Sequence, residues 1–405
     1  MDIKYRVLWL LWLMQLVNYL DRVNLSVAAP TMMKDLSISP GHFGFVLAAF
    51  TLGYAVMQIP GGMLGDRYGS KPLLIGAGLG WSFFTGMTGL ASSLATLIGV
   101  RVLFGAAEGA SNGPAFKLVG DYFTSRERAS ANGLYLTSLA LGPAFVAPIA
   151  AWLLGRVGWH GMFFLFVIPG VLMALLLFLA LPRPGTGGVI HTEIRNAEGK
   201  QSGWRDVMRM RTSWLLFFAY MAFNVAFWGF LGWMPSYLSI ARHIDLKHLG
   251  FAASIPYFFG FLGMLVFGWL GSRALYRHRA LLVATGYVLA GLALYASYKA
   301  ATPDGSIAGL SAAAFFLYGG FGPVWGIALD LTPDAARGAF SGFINCGGQI
   351  GGFFAPIVVG LIVSHTGSFT GGFLVMIAGL LIGAICFCTL HPSLGPAASP
   401  RSIPA

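Results

Sequence analysis

Asn18-Tyr19-Leu20-Asp21-Arg22-Val23-Asn24-Leu25-Ser26 places an acid and a base side by side inside apolar sequence. Residues 7–17 are Val, Leu, Trp and Met apart from Gln15, and Val27-Ala28-Ala29-Pro30 is apolar again. A helix that begins near residue 7 carries Asp21 and Arg22 about 14 residues, or roughly 20 Å, along its axis. That depth lies inside a hydrocarbon layer about 30 Å thick. Ionisable side chains there are rare and face a cavity, a charge partner or a transport path. The plainer reading is a pair that only neutralises itself. A second pair, Arg101 and Glu108, stands in a later apolar run, which makes the two pairs candidates for one site.

The composition agrees with a membrane setting. Hydrophobic residues make up 57% of the 405 and charged residues 10%, against about 25% charged in soluble domains, and the mean hydropathy is +0.74. The formal charge of +11 would suggest nucleic acid in a soluble protein, but its distribution has a simpler cause. Of 25 Lys and Arg, 17 fall in loops on one side of the predicted spans, 5 on the other and 3 (Arg22, Arg101, Lys117) within them. The rich side is cytoplasmic by the positive-inside rule, and no nucleic-acid partner is expected. Cys346, Cys386 and Cys388 all fall in predicted spans, and the eight histidines in loops or at span ends. No disulfide framework, metal site, cofactor or histidine proton relay is therefore expected. The first span is not a cleaved signal, because Asp21-Arg22 interrupts it before any cleavage site.

Apolar runs of about 20 residues predict helices near 7–30, 41–64, 73–93, 97–121, 130–154, 161–181, 212–237, 249–271, 280–300, 306–331, 337–363 and 369–390. Both termini then lie on the basic, cytoplasmic side. The fold class is all-α: twelve transmembrane helices as an N-terminal six-helix bundle (1–181) and a C-terminal one (212–390). A cytoplasmic linker (182–211) joins them, with a short interfacial helix at 204–210, and a cytoplasmic tail (391–405) follows. An offset of 209 carries Gly113-Pro114 onto Gly322-Pro323, Asp121 onto Asp330, Arg128 onto Arg337, Gly133 onto Gly342 and Gly142 onto Gly351. Gly62-Met63-Leu64-Gly65-Asp66-Arg67 likewise aligns with Gly268-Trp269-Leu270-Gly271-Ser272-Arg273. Duplication of a six-helix unit is a transporter architecture with substrate near the midplane between the halves. Arg101 and Glu108, however, map onto Leu310 and Leu317, so the backbone is repeated and the charges are not.

Gly61-Gly62-Met63-Leu64-Gly65-Asp66-Arg67-Tyr68-Gly69-Ser70-Lys71-Pro72 closely resembles the loop between spans two and three that marks the major facilitator superfamily. The resemblance implies that Asp66, with Arg67 beside it, bridges to a neighbouring helix end and braces the outward-facing state. Asp121, Arg128, Asp330 and Arg337, at the cytoplasmic ends of spans four and ten and in the loops beside them, read as further parts of a gate. Within that superfamily, Asn18 to Pro30 resembles the first span of the anion:cation symporters. Arg101, Gly105, Glu108-Gly109, Pro114 and the run Asp121-Tyr122-Phe123-Thr124-Ser125-Arg126-Glu127-Arg128-Ala129 agree with their fourth span. Two positions depart: Ser70 stands where a base is usual, and Gly109 where many sugar-acid members have Ala-Pro. By this resemblance the protein is a multi-pass protein of the bacterial inner membrane.

Seven residues apart, Arg101 and Glu108 share a helix face about 10 Å apart in level. Counted from the outer ends of their spans, Asp21 and Arg22 lie at levels between them. Neighbours on a helix diverge by about 100°, so Asp21 is expected to face Arg101 while Arg22 faces a central cavity near Glu108. Arg101 is then a structural charge partner. With all four ionised the site is neutral, and a proton on Asp21 or Glu108 leaves a positive cavity that an organic anion neutralises. The arginines stay charged, which makes the two carboxylates the proton-coupling groups and Arg22 the substrate's counter-charge. Tyr54, Asn224, Trp325, Asn345 and Gln349 are the remaining substrate-lining candidates, with Tyr54 and Asn345 assigned by resemblance. Helix-to-helix hydrogen bonding is the plainer role for each. Phe43, Phe227 and Trp228 read as packing or lipid-facing aromatics rather than ligands.

The expected function is proton-coupled symport of a small organic carboxylate by alternating access, with no enzymatic chemistry and a monomer in the bilayer. An anion exchanger or a proton-coupled antiporter of the same fold is the alternative, although Val146-Ala147 stand where the antiporter signature has two glycines. Sparse polarity in the C-terminal half favours an anion smaller or less hydroxylated than a sugar acid.

Overall fold

The computed structural model describes residues 2–123, 125–182, 209–331 and 337–390. The 204–210 helix falls almost wholly outside them, as do the tail 391–405 and the side chains of Arg128 and Arg337. Among the described residues there is no strand. The helices are α1 (Ile3–Asp35), α2 (Pro40–Tyr68), α3 (Ser70–Thr88), α4 (Leu94–Tyr122), α5 (Ser125–Leu136), α6 (Ser138–Ala180), α7 (Arg211–Ser236), α8 (Leu246–Ser272), α9 (Arg279–Lys299), α10 (Pro303–Gly319), α11 (Phe321–Asp330), α12 (Arg337–Thr366) and α13 (Thr370–Leu390).

These helices make twelve passes. Span five is α5 with the first part of α6, and span six is the rest of α6, the turn between them made at Gly158, whose φ of 67° is the left-handed region that glycine enters without penalty. Span ten is α10 and α11, broken at Gly320, where a Cβ would stand 2.7 Å from Tyr287 Cε1. Nine stretches among the described residues are long and apolar enough to cross a membrane, one of them holding both spans five and six. Prolines inside α1, α2, α4, α6, α7, α8 and α12 are tolerated because neighbouring helices re-satisfy the freed backbone groups. Ile59, Phe251 and Leu179 are among the exposed large apolar side chains and suit a lipid surround.

The repeat is visible in the packing. A Cβ built on Gly113 would lie 2.9 Å from Gly62 Cα, and its counterpart on Gly322 3.8 Å from Gly268 Cα. Pro114 Cγ stands 2.8 Å from the Cβ position of Gly65, and Pro323 Cγ 3.1 Å from that of Gly271. The two halves therefore cross their second and fourth spans on equivalent glycines and prolines.

Between the halves, the close approaches cluster toward the face opposite the start of α1. There the Cβ position of Gly44 on α2 is 2.6 Å from the Pro356 carbonyl of α12, and that of Gly250 on α8 is 2.6 Å from Pro148 Cα of α6. Ser254 Oγ also donates to the Ala144 carbonyl at 2.5 Å. At the face where α1 starts, the described ion pairs each stay within one half: Lys4 with Glu127 at 2.8 Å, Lys117 with Asp66 at 2.6 Å, and Arg279 with Asp330.

Candidate functional site

The four charges of α1 and α4 are all buried: Asp21 and Glu108 are 1% exposed, Arg101 3% and Arg22 7%. Arg22 and Glu108 are brought together. The Arg22 Nε donates to Glu108 Oε1 at 2.5 Å and a terminal nitrogen donates to the same oxygen, leaving Glu108 Oε2 without a hydrogen-bond partner. Both bonds fall on one oxygen, so the pair is not the two-pronged arrangement that an arginine makes at its strongest.

Four rings surround the Arg22 guanidinium. Its carbon lies 4.4 Å from the centroid of Tyr19, 4.8 Å from Phe50, 5.1 Å from Tyr54 and 5.6 Å from Trp228. Tyr19 precedes Arg22 by one turn of α1, and Phe50 and Tyr54 are one turn apart on α2, so helical spacing alone aligns three of the four. Trp228 comes from α7 in the other half and reaches across because Gly352 has no side chain: a Cβ there would meet its Cδ1 at 2.5 Å. Trp228, read from the sequence as packing, thus covers the buried cation. The available signal was its place one turn after Asn224 on α7.

Asp21 points elsewhere. Asn24 Nδ2 donates to its Oδ1 at 3.3 Å, its Oδ2 has no hydrogen-bond partner, and the Thr85 hydroxyl of α3 and the Arg101 charge lie near it. The anticipated direct Asp21–Arg101 contact is not an ion pair among the described residues. The Arg101 guanidinium instead lies 4.3 Å from the Phe104 centroid and 5.6 Å from Phe50, with its Nε unpartnered. Phe50 therefore stands near both arginines.

The other candidates are distributed along the seam between the halves. The Tyr54 hydroxyl accepts from Asn112 of α4. Asn345 Nδ2 on α12 donates to Gln58 Oε1 on α2 at 3.2 Å, and Gln349 Oε1, one turn beyond Asn345, is buried without a partner. Asn224 donates to the Tyr220 carbonyl of its own helix at 2.8 Å, and Trp325 packs on the Tyr220 ring with centroids 5.5 Å apart. Gln58 and Asn112 were not singled out from the sequence, although Gln58 follows Tyr54 by one turn and Asn112 follows Glu108 by one turn.

Of the gate candidates, Asp66 takes its bridge from Lys117 near the end of α4, and Arg67 lies 5.3 Å from the Tyr68 centroid. Asp330 is engaged by Arg279 and, at 3.2 Å, by the Tyr276 hydroxyl. Arg279 reaches Asp330 because α9 begins beside the end of α11, a juxtaposition that the linear sequence does not display, while the side chain of Arg337 lies outside the described residues. Asp121 is half-buried at the end of α4. No cluster of three or more His, Cys, Asp or Glu able to hold a metal occurs among the described residues.

Residues 11–356 match the sequence model of the Major Facilitator Superfamily. Among curated proteins, the chain is 30% identical to a hexuronate transporter of Bacillus subtilis, the match covering 94% of this chain and 93% of that protein. It is also 30% identical to a probable sulfoacetate transporter of Cupriavidus necator, over 96% and 94%, and to a D-galactonate transporter of Escherichia coli, over 96% and 95%. Among solved structures, a bacterial homolog of the human lysosomal transporter Spinster, inward-facing and unoccupied, superposes with a TM-score of 0.79 at 20% identity, covering 97% of each chain.

Proposed function

We propose that this chain, which belongs to the Major Facilitator Superfamily and is a multi-pass transport protein rather than an enzyme, imports a small organic carboxylate together with a proton. The observation that carries the reading is the buried Arg22–Glu108 pair under a lid from the other half. Hexuronate, D-galactonate and sulfoacetate, the compounds in the names of the three relatives, share a small carboxylate. Such an anion suits a site whose cation is held by one oxygen of a titratable partner.

The coupling follows from charge. Glu108 occupies Arg22 when ionised, so a substrate carboxylate has to replace it there. A proton on Glu108 removes the competing charge, and the arriving carboxylate restores neutrality beside Arg22, Arg101 and Asp21. Loading one without the other leaves a net charge in an apolar bundle, which is costly at membrane depth. Proton and anion therefore load and leave together. Asp21, set apart with Asn24, Thr85 and Arg101, is the second protonatable group of the site.

The basic face where α1 starts is cytoplasmic by the positive-inside rule, which places both termini inside. The close Gly44–Pro356 and Gly250–Pro148 approaches then lie on the outer side, which supports an inward-facing conformation. Alternating access consists of parting those seams while the cytoplasmic ends of the two halves close. Asp66, Asp121 and Asp330, with Arg67, Arg128 and Arg337, belong to that inner gate.

The test is uptake of labelled D-galactonate, D-glucuronate and sulfoacetate into proteoliposomes of the purified chain. An inward proton gradient alone should drive accumulation of at least one of them. Uptake that responds only to internal counter-anion, and not to the gradient, would make the protein an exchanger.

A further inference from the structure

We infer that Gln58 is a specificity-determining residue that reads hydroxyl groups on the transported carboxylate. The inference rests on the carboxylate reading above and concerns a residue to which nothing so far assigns a role. Gln58 follows Tyr54 by four residues on α2, so it lies about one turn, roughly 6 Å, further along the face that covers Arg22. Both side chains are half-buried. Across the seam, Asn345 and Gln349 are also one turn apart, on α12.

The described hydrogen bond joins Asn345 Nδ2 to Gln58 Oε1. Each amide has both donor and acceptor capacity, so Gln58 Nε2 remains as a donor and Asn345 Oδ1 as an acceptor. Gln349 Oε1 is a buried acceptor that lacks any partner, and an unmet buried acceptor is costly until a ligand or water supplies a proton. The patch thus presents the donors Gln58 Nε2 and Gln349 Nε2 beside the acceptors Asn345 Oδ1 and Gln349 Oε1, the last of them buried and unmet. A hydroxyl group, which both donates and accepts, matches that mixture and supplies the proton that Gln349 Oε1 lacks, whereas a second carboxylate, accepting only, leaves that buried oxygen unmet. A substrate whose carboxylate sits on Arg22 extends its third or fourth carbon to the level of Gln58.

Gln58→Met keeps the side-chain length and removes both hydrogen-bonding atoms. Affinities of the parent and variant for D-galactonate and for hexanoate, two six-carbon monocarboxylates that differ in their hydroxyls, are measured by calorimetry on the purified proteins. The parent should prefer D-galactonate, and Gln58→Met should lose about three- to tenfold of that preference, the worth of one hydrogen bond, with hexanoate binding unchanged. Parallel weakening of both ligands would overturn the inference and leave Gln58 a mere tie between the halves, as would no change in either or a parent that favours hexanoate. If Gln58→Met does not fold, Gln58→Asn, an amide one methylene short, replaces it and the same ratio decides. A parent that binds neither ligand but takes up sulfoacetate, which has no hydroxyls, also overturns the inference, whereas a parent that takes up none of the three anions of the uptake assay overturns the carboxylate reading itself.

Discussion

Arg22 on the first helix and Glu108 on the fourth, 86 positions apart, are joined by two hydrogen bonds to a single carboxylate oxygen. The first and fourth spans are thereby tied at mid-membrane by a contact that a proton can weaken. Tyr19, Phe50 and Tyr54 wall the pair from its own half, and Trp228 closes it from the other.

Replacing Arg22 by Met should abolish carboxylate binding and also destabilise the fold, because breaking a buried pair from one side costs about 3–5 kcal/mol. Arg22→Met combined with Glu108→Gln should recover most of the lost melting temperature without recovering binding. Calorimetry and thermal denaturation of the two variants check this. A double variant as unstable as Arg22→Met alone would show that the pair is not energetically coupled.

Asp66 and Lys117 are 73% and 40% exposed at their side chains, and a pair so open to solvent is worth under about 1 kcal/mol. Asp66→Asn should therefore melt within a degree or two of the parent and bind substrate normally, yet transport slowly if Asp66 braces the outward-facing state. Binding and initial-rate uptake compared on one preparation give the answer. Parental turnover would remove Asp66 from the gate.

Gly44 lies against the α12 backbone, where a Cβ would stand 2.6 Å from the Pro356 carbonyl. Gly44→Val should hold the outer seam open, so that substrate binds from outside while release inside slows severalfold. Accessibility of a cysteine placed at Leu361 to a membrane-impermeant thiol reagent should rise in the variant. Unchanged labelling and unchanged transport would show that this seam does not close during the cycle.

The sequence carried the fold far because a bilayer leaves few options: twelve apolar runs, basic loops on one side and an offset repeat suffice. It also located the four buried charges, since an ion inside an apolar run is conspicuous. Their pairing was harder. The 100° divergence of Asp21 and Arg22 sends them to different neighbours, but Phe50 comes close to both arginines, and Arg101 rests on rings where a carboxylate partner was anticipated. Trp228, Gln58 and Asn112 stayed hidden for a different reason: aromatic and amide side chains in helices are ordinary, and only the crossing of α2 with α4, α7 and α12 gives these three a common address. The Asp330–Arg279 contact likewise depends on two helix ends that meet in space across 51 residues.

Substrate counterflow with Glu108→Gln tests the central claim most directly, because Gln keeps the side-chain shape while mimicking the protonated carboxyl. Proteoliposomes loaded with unlabelled D-galactonate, or whichever carboxylate the parent transports, are given labelled substrate outside, first at equal pH and then with an inward proton gradient and no internal substrate. The account predicts that Glu108→Gln exchanges label at a rate near the parent's and fails to accumulate substrate in response to the gradient. Concentrative, gradient-driven uptake by Glu108→Gln would contradict it and shift the coupling to Asp21.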